Sequence, residues 1–566
     1  MKKRNKEYKK IVLLLLPYWD PLVPPQGISV LKTYLKKQNF DVKTYDANIN
    51  VHFKKLYNKY FGLLNEFVPQ DKQGNFYNIG HDVLRNHMLA YLNKDNDEKY
   101  RKTIISIIHE TFYTEINFSQ YDKIETVVIE IYNKLNNYIE EIINLDKPDV
   151  MGVSVMRDTI GASVFAFQIA KKLNPSILTV MGGTVFQEHL AEGNPNYERF
   201  INNTPYIDKI IIGDGKELFI RMLQGKLENS QKVYSITDFR EFITVKDIVE
   251  IPDMTDFDVE NDYPYIATQG SFSCPFECSF CNVRTFAGEY KEKNINILYE
   301  EIKQQYNQYG KRLFFMNDSL INHIIDNVAQ KLIDEKLPVY LDGYLRVGEP
   351  VCNLDSTILW RRGGLYRVRI GVESGSQSVL NSMEKKITPE LIYRSLDSLA
   401  KAGIKTTTYW VIGHPGETEE DFQETLKLLE ECKNNIYEAE CNPFIYSYNG
   451  QNSTDKWADK RKLLYPEYAD DYLIFQSWKI ETTPTREETF SRINRFVSRC
   501  KELEIPNPYS ITDIYSADQR WNNLHINSVP SLIEVNHNMK DLLESREIEN
   551  CSLQEYNDVF EGDFHF

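Results

Sequence analysis

Basic residues, long apolar runs and paired cysteines are what this sequence has little of. Lys and Arg number 66 against 82 Asp and Glu, a formal charge of −16, and an acidic chain repels phosphate backbones unless a local groove overrides the mean. Nucleic acid is therefore not an expected partner. No stretch approaches the roughly 18 apolar residues that span a bilayer, so no membrane partner is expected either. The opening MKKRNKEYKK followed by Ile11 to Leu16 imitates a secretion signal, but the apolar run ends at once in Pro17-Tyr18-Trp19-Asp20. Without a small-residue cleavage site it reads as a buried parallel strand. Eight Cys, three together and five scattered at 352, 432, 441, 500 and 551, make no disulfide framework, which points to a reducing, cytoplasmic setting.

What is present is the material of a large globular protein. A chain of 566 residues exceeds one hydrophobic core, so two or three domains are expected. Residues 10 to 16, a helical pattern on Ile28, Leu31, Tyr34 and Leu35, and Phe40 to Tyr45 form a βαβ unit. A long helical stretch follows from about 50 to 145, an inserted subdomain or lid. The alternation resumes at DVMGVSV, passes a helix from about Ala162 to Leu173, and continues through Ile177 to Met181 and Lys209 to Ile212. Strands that alternate with helices and end in Gly or small polar residues predict a doubly wound sheet with its ligand over the strand carboxyl ends. From Tyr265 six more strands alternate with helices, IATQGSF, RLFFMND, PVYLDGYLRV, YRVRIGVES, TTTYWVIG and AECNPFIYS. They predict a partial or complete parallel barrel. The expected class is α/β. A Rossmann-like domain spans 1–245, a (β/α)6 TIM-type barrel 255–447, and a small C-terminal α+β domain, rich in Trp and Tyr, 448–566.

Cys274-Pro-Phe-Glu-Cys278-Ser-Phe-Cys281 follows the first barrel strand, where barrel enzymes carry catalytic loops. Three thiolates can hold three irons of a 4Fe-4S cluster and leave the fourth iron open. Tetrahedral zinc is the competing reading, but it wants a fourth ligand, and no His or Cys follows until His323. The CxxxCxxC spacing, with Phe280 before the last Cys, resembles the radical S-adenosylmethionine superfamily. The resemblance implies that the open iron chelates S-adenosylmethionine and delivers an electron that generates a 5′-deoxyadenosyl radical, with a flavodoxin or ferredoxin as electron donor.

Other segments follow that family's order. Asn317-Asp318-Ser319 stands where a carboxylate could accept from the methionine ammonium, although Asp318 would serve equally well as a helix cap. Arg346 is placed to pair the cofactor carboxylate. Glu373 and Ser374, within GVESGSQ, resemble the fourth-strand motif facing ribose and methionine. Gly413 and Pro415, within GHPGET, resemble the segment that borders adenine.

The N-terminal domain resembles the cobalamin-binding branch of the superfamily, through Ser154 in GVS, Gly182 and Gly183 in GGT, and Gly213, Gly215 and Glu217 in GDGKE. The Asp-x-His-x-x-Gly motif that supplies an axial His elsewhere is missing, so cobalamin bound without that ligand is implied. Together these imply transfer of a methyl group to an unactivated carbon of a peptide or natural-product intermediate. A radical cyclase, rearrangement enzyme or epimerase is one alternative, and a non-catalytic cobalamin-binding protein another. Trp457, Tyr465, Tyr468, Tyr472, Phe475, Trp478, Tyr509, Tyr515 and Trp521 line a substrate pocket or fill the core.

Overall fold

The computed structural model describes residues 8–74, 76–187, 189–236, 250–507 and 511–525. Strands β1 (Lys10–Leu15), β2 (Asp41–Asp46), β3 (Val150–Ser154), β4 (Leu178–Gly182), β5 (Lys209–Ile212) and β6 (Val233–Ser235) form one sheet. Their order is β2-β1-β3-β4-β5-β6 and every pairing is parallel. The run KIVLLL is continuous because β1 is covered on both faces, as in doubly wound sheets. The order reverses between β1 and β3, so the topological switch point, where such sheets bind ligands, lies at the carboxyl ends of those two strands.

Between β2 and β3 the chain forms four helices, Val51–Phe67, Phe76–Leu92, Asp97–Phe112 and Phe118–Asp146. Their starts are written locally. Asn50 and Asn96 accept from backbone N–H groups of the first turn, and Asn117 with Gln120 closes a capping box. Tyr57, Tyr60, Tyr100 and Tyr132 are buried in one core with Val12, Leu14 and Val153 of the sheet, so the insertion is integral to the domain.

The second sheet contains β7 (Ile266–Thr268), β8 (Leu313–Met316), β9 (Tyr340–Arg346), β10 (Leu365–Glu373), β11 (Lys405–Ile412) and β12 (Glu438–Pro443). All its pairings are parallel and sequential, from β7 to β12, which do not pair with each other. This is an open six-stranded barrel. Arg367 and Arg369, two positions apart and so on one face of β10, pair with Glu438 and with Asp342 at 2.5 and 2.8 Å, all four side chains at most 3% exposed. The acidic linker is tied down as well: Lys32, buried in the first domain, reaches Asp256 at 2.7 Å and Asp253 at 3.1 Å.

Past β12 the chain crosses back to the first domain. A short hairpin, Arg461–Leu463 with Trp478–Ile480, brings Tyr465, Tyr472 and Phe475 into the core of the insertion. Asn86 donates to the Tyr465 hydroxyl at 3.0 Å, and Arg199 pairs with Asp470 at 2.8 Å. Helix Arg486–Glu502 then returns to the barrel, where Phe496 packs on Trp410.

Candidate active site

The cysteine loop leaves β7 through Ser271–Phe272, which pairs antiparallel with Lys291–Glu292. Ser273 turns the chain with φ 66°, and the Cys281 N–H closes onto the Cys278 carbonyl at 3.1 Å. Cys278 is buried while Cys274 and Cys281 are partly exposed. Burial pushes the Cys274 and Cys281 thiols up, the neighbouring Cys278 adds to this, and Lys385 opposes it at both positions. Among the described residues no group of three His, Cys, Asp or Glu side chains is drawn together tightly enough to hold a single metal ion.

The donor set does fit a thiolate-bound cluster. Three soft ligands share one loop from Cys274 to Cys281, and two cations lie beside it. Arg346, at the end of β9, donates from Nη1 to Cys278 Sγ at 3.3 Å and also to the Lys385 carbonyl, with its guanidinium stacked on Phe276. Lys385 lies over the Phe280 ring and donates to Glu373 at 2.6 Å. A cluster on three thiolates carries negative charge that cations at this distance compensate.

A set of contacts invisible in the motif holds the loop in place. Gln451 donates to the Phe280 carbonyl at 3.0 Å, Asn452 to the Cys278 carbonyl at 3.1 Å, and Ser453 to the Ser279 carbonyl at 2.8 Å. Ser279 also donates its N–H to the Met383 carbonyl. These residues lie some 170 positions from the cysteines, and no local periodicity marks them.

The other barrel candidates gather at the same carboxyl end with their polar atoms engaged. Asp318 does not cap a helix. Its carboxylate accepts from the Gly270 N–H and the Ser271 hydroxyl, and burial pushes it up to about 6. Asn317 is exposed, its N–H donating to the Thr268 carbonyl. Glu373 sits at φ 67° against Lys385, and Ser374 meets the Thr425 hydroxyl at 3.0 Å. The Gly413 N–H donates to both oxygens of Glu417, which Arg492 holds from the C-terminal helix at 2.7 Å. His414, 1% exposed, has no hydrogen-bond partner on either ring nitrogen among the described residues and packs between Phe444 and Trp457.

In the first domain, Gly27, Gly183 and Gly213 are exposed along the carboxyl edge of the sheet, and a Cβ added at Gly27 would meet nothing nearer than Ser154 Oγ at 3.8 Å. The open backbone at Gly27 fits a large flat ligand, whereas a Cβ at Gly213 would meet the Ile236 side chain at 2.4 Å. Gly183 also permits its own backbone to pass Val155, whose carbonyl a Cβ would meet at 2.2 Å. Gly215 opens helix Gly215–Leu223 behind the cap of Asp214, and Glu217 pairs with Arg221 at 2.5 Å, one turn on.

A cavity of about 360 Å³ lies between the ends of β11 and β12 and the loops that follow β3 and β4, where Arg157, Asp158 and His189 line it. Gly413 and Pro415 line it, whereas the six first-domain candidates do not. Of the aromatic candidates only Trp478 is on its wall. Tyr465, Tyr472, Phe475, Trp457 and Trp521 are buried core, and Tyr468 is exposed. Cys352 is partly buried, and Cys432, Cys441 and Cys500 are fully so. Cys551 and Tyr509, and the Tyr515 side chain, lie outside the described residues.

Comparison with known proteins places this geometry. Residues 269–429 match the radical SAM superfamily. The chain is 26% identical over 315 residues to the anaerobic magnesium-protoporphyrin IX monomethyl ester cyclase of Rubrivivax gelatinosus, covering 51% of this chain and 55% of that one. It is 25% identical over 314 residues to an uncharacterized methyltransferase of Pyrococcus horikoshii, covering 51% and 66%. The chain thus spans between half and two thirds of these curated relatives. The radical S-adenosylmethionine methyltransferase TsrM from Kitasatospora setae, solved with cobalamin and a 4Fe-4S cluster bound, superposes with a TM-score of 0.58 at 11% identity, over 94% of this chain and 100% of that one. At that identity the likeness is one of fold. Residues 269–429 thus form a radical SAM domain, and the overall fold is like that of the TsrM structure. Among the described residues no helix is long and apolar enough to cross a membrane.

Proposed function

We propose that this protein is a cobalamin-dependent radical S-adenosylmethionine enzyme that methylates an unactivated carbon of a small natural-product or peptide acceptor. The observation that carries the reading is the cavity, lined on one side by the mouth of the barrel and on the other by Arg157, Asp158 and His189 from the loops that follow β3 and β4 of the doubly wound sheet. When loaded, the cluster with S-adenosylmethionine supplies a 5′-deoxyadenosyl radical and methylcobalamin supplies the methyl group. Cys274, Cys278 and Cys281 would hold the cluster, with Arg346 and Lys385 balancing its charge. Glu373, Ser374, Gly413 and Pro415 would border S-adenosylmethionine. Ser154, Gly182, Gly183 and Gly213 would border the corrin. Asp318 holds the backbone beneath the cysteine loop, so the ammonium contact is left to other groups. The wall formed by Phe444, Tyr446 and Trp478 would shield the reacting face from water.

The test is anaerobic reconstitution with iron, sulfide and hydroxocobalamin, a visible spectrum after desalting, and turnover followed by mass spectrometry. Cobalamin bands, 5′-deoxyadenosine and a product heavier by ~14 Da are expected, since the cofactors and not the side chains supply the transferred group. A product of unchanged mass would transfer the reading to rearrangement or epimerisation. Absence of cobalamin bands would sink it.

A further inference from the structure

The cavity wall contributed by the first domain is an unusual charge array. Asp82 and Arg85, on helix Phe76–Leu92, meet Arg157 and Asp158, just past β3, in a closed ring. Arg85 Nη1 lies 2.7 Å from Asp82 Oδ1 and 3.3 Å from Asp158 Oδ1. Arg157 reaches the same two oxygens, from Nη2 at 3.0 Å and from Nε at 3.4 Å. Burial alone would raise both carboxylates, yet the two arginines hold Asp82 and Asp158 below the ordinary range, so both stay charged.

The ring is internally balanced but not saturated. All four contacts use Oδ1, so among the described residues Oδ2 of Asp82 and Oδ2 of Asp158 receive no donor. Arg85 is 3% exposed and its Nε has no acceptor. His81, on the same wall, has a buried Nε2 with no partner among the described residues, and burial lowers the pKa of that imidazole. Buried ion pairs return little net stability and leave a penalty for each unmatched atom. A wall that keeps two unmatched anionic oxygens beside a buried cationic N–H without an acceptor is matched by a ligand end that bears both signs.

The facing wall is different in kind. Phe444, Tyr446, Tyr448, Trp478 and Ile480 come from the barrel side and the hairpin, and Tyr448 packs on Trp478 with ring centroids 4.7 Å apart. The residues from Asn442 to Tyr448 lead directly into Gln451–Ser453, which grip the cysteine loop. The apolar end of a ligand would therefore lie toward the radical source, and its charged end away from it.

We infer that this cavity binds a free α-amino acid with a large apolar side chain, ammonium on Asp82 and Asp158, carboxylate on Arg85, and the side chain on the aromatic wall. A peptide is a poorer match because each of its ends bears one charge. If the reading under Proposed function holds, this amino acid is the acceptor and the methylated carbon is in its side chain. The binding itself does not depend on that reading.

The test is isothermal titration calorimetry of the full-length protein with L-phenylalanine, L-tryptophan and L-leucine, against phenethylamine and 3-phenylpropanoate. Hydrogen bonds to charged groups contribute roughly 1.5–3 kcal/mol each, so either single-charge analogue should bind roughly 10- to 100-fold more weakly than phenylalanine. Asp158→Asn, which keeps the shape of the ring, should weaken phenylalanine about tenfold and leave 3-phenylpropanoate no weaker. No binding of any of the three amino acids, or equal binding of the analogues, would overturn the inference. The titration is repeated on hydroxocobalamin-loaded protein. Retained affinity supports the assignment, and loss of binding on loading gives the cavity to the corrin and overturns it. A protein that binds phenylalanine but forms no 5′-deoxyadenosine would refute the proposed reaction while leaving this site intact.

Discussion

Replacing Arg346 by methionine removes a cation 3.3 Å from Cys278 Sγ and leaves an unbranched side chain able to cover Phe276. A hydrogen bond to a charged group contributes roughly 1.5–3 kcal/mol, and for a one-electron couple about 1.4 kcal/mol corresponds to about 59 mV. A guanidinium donor stabilises the more negative, reduced state, so its loss should lower the cluster midpoint by roughly 60–130 mV. Arg346→Lys keeps the charge but loses the fork that reaches both Cys278 Sγ and the Lys385 carbonyl, and should fall between. The assay is an EPR-monitored redox titration of anaerobically reconstituted protein, with iron content measured to show equal loading. A shift below about 20 mV, on a scale where one tenfold change is about 59 mV, would refute the assignment. If the KM for S-adenosylmethionine rose while the midpoint stayed put, Arg346 would be serving the cofactor carboxylate instead.

Three further outcomes follow from named contacts. Lys385→Met strands Glu373, 7% exposed, and should cost roughly 3–5 kcal/mol of stability, seen as a lower urea midpoint that Glu373→Gln in the same chain partly restores. If the double variant is no more stable than Lys385→Met, the pair is not the cause. Asn452→Ala deletes the bond to the Cys278 carbonyl, and a loss of about 1 kcal/mol at the loop should reduce the iron retained per chain after gel filtration; unchanged retention would count against the clamp. Glu417 is buried and pushed up to about 7 despite Arg492. A carboxyl whose folded pKa exceeds its unfolded value binds the proton more tightly when folded, so its contribution is complete below about 4.5 and lost as pH rises through about 7. The urea midpoint should therefore fall from pH 5 to pH 8 by more in the native protein than in Glu417→Gln, and equal slopes would contradict this.

The features legible in the sequence are those that repeat or sit close together. Both strand-helix series, the CxxxCxxC turn and the GVES and GHPGET segments are local patterns, and the expected strands start within a residue or two of the observed ones, although IATQGSF and AECNPFIYS end four residues too late and Val233–Ser235 is not read as a strand. Long-range pairing left no such trace. Asp318 reads equally as a contact for the methionine ammonium or as a helix cap, because both need only its own neighbours, whereas its actual partners, Gly270 and Ser271, follow the previous barrel strand. The charge ring draws one acid–base pair from a polar helix of the insertion and the other from the loop after β3, so neither half is conspicuous alone. The aromatic C-terminal stretch is divided between core and cavity by an alternation too irregular to read.

The residues that grip the cysteine loop begin at Gln451, just past β12, and lead on to the hairpin docked on the first domain. This gives the protein a seam with no clean place to cut. A barrel ended at residue 447 would retain every cysteine of the loop and every parallel strand, yet release the carbonyls of Cys278, Ser279 and Phe280 from the groups that fix them. The chain is thus divisible on paper and interlocked in space, so fragments made by domain boundaries are poor stand-ins for the whole.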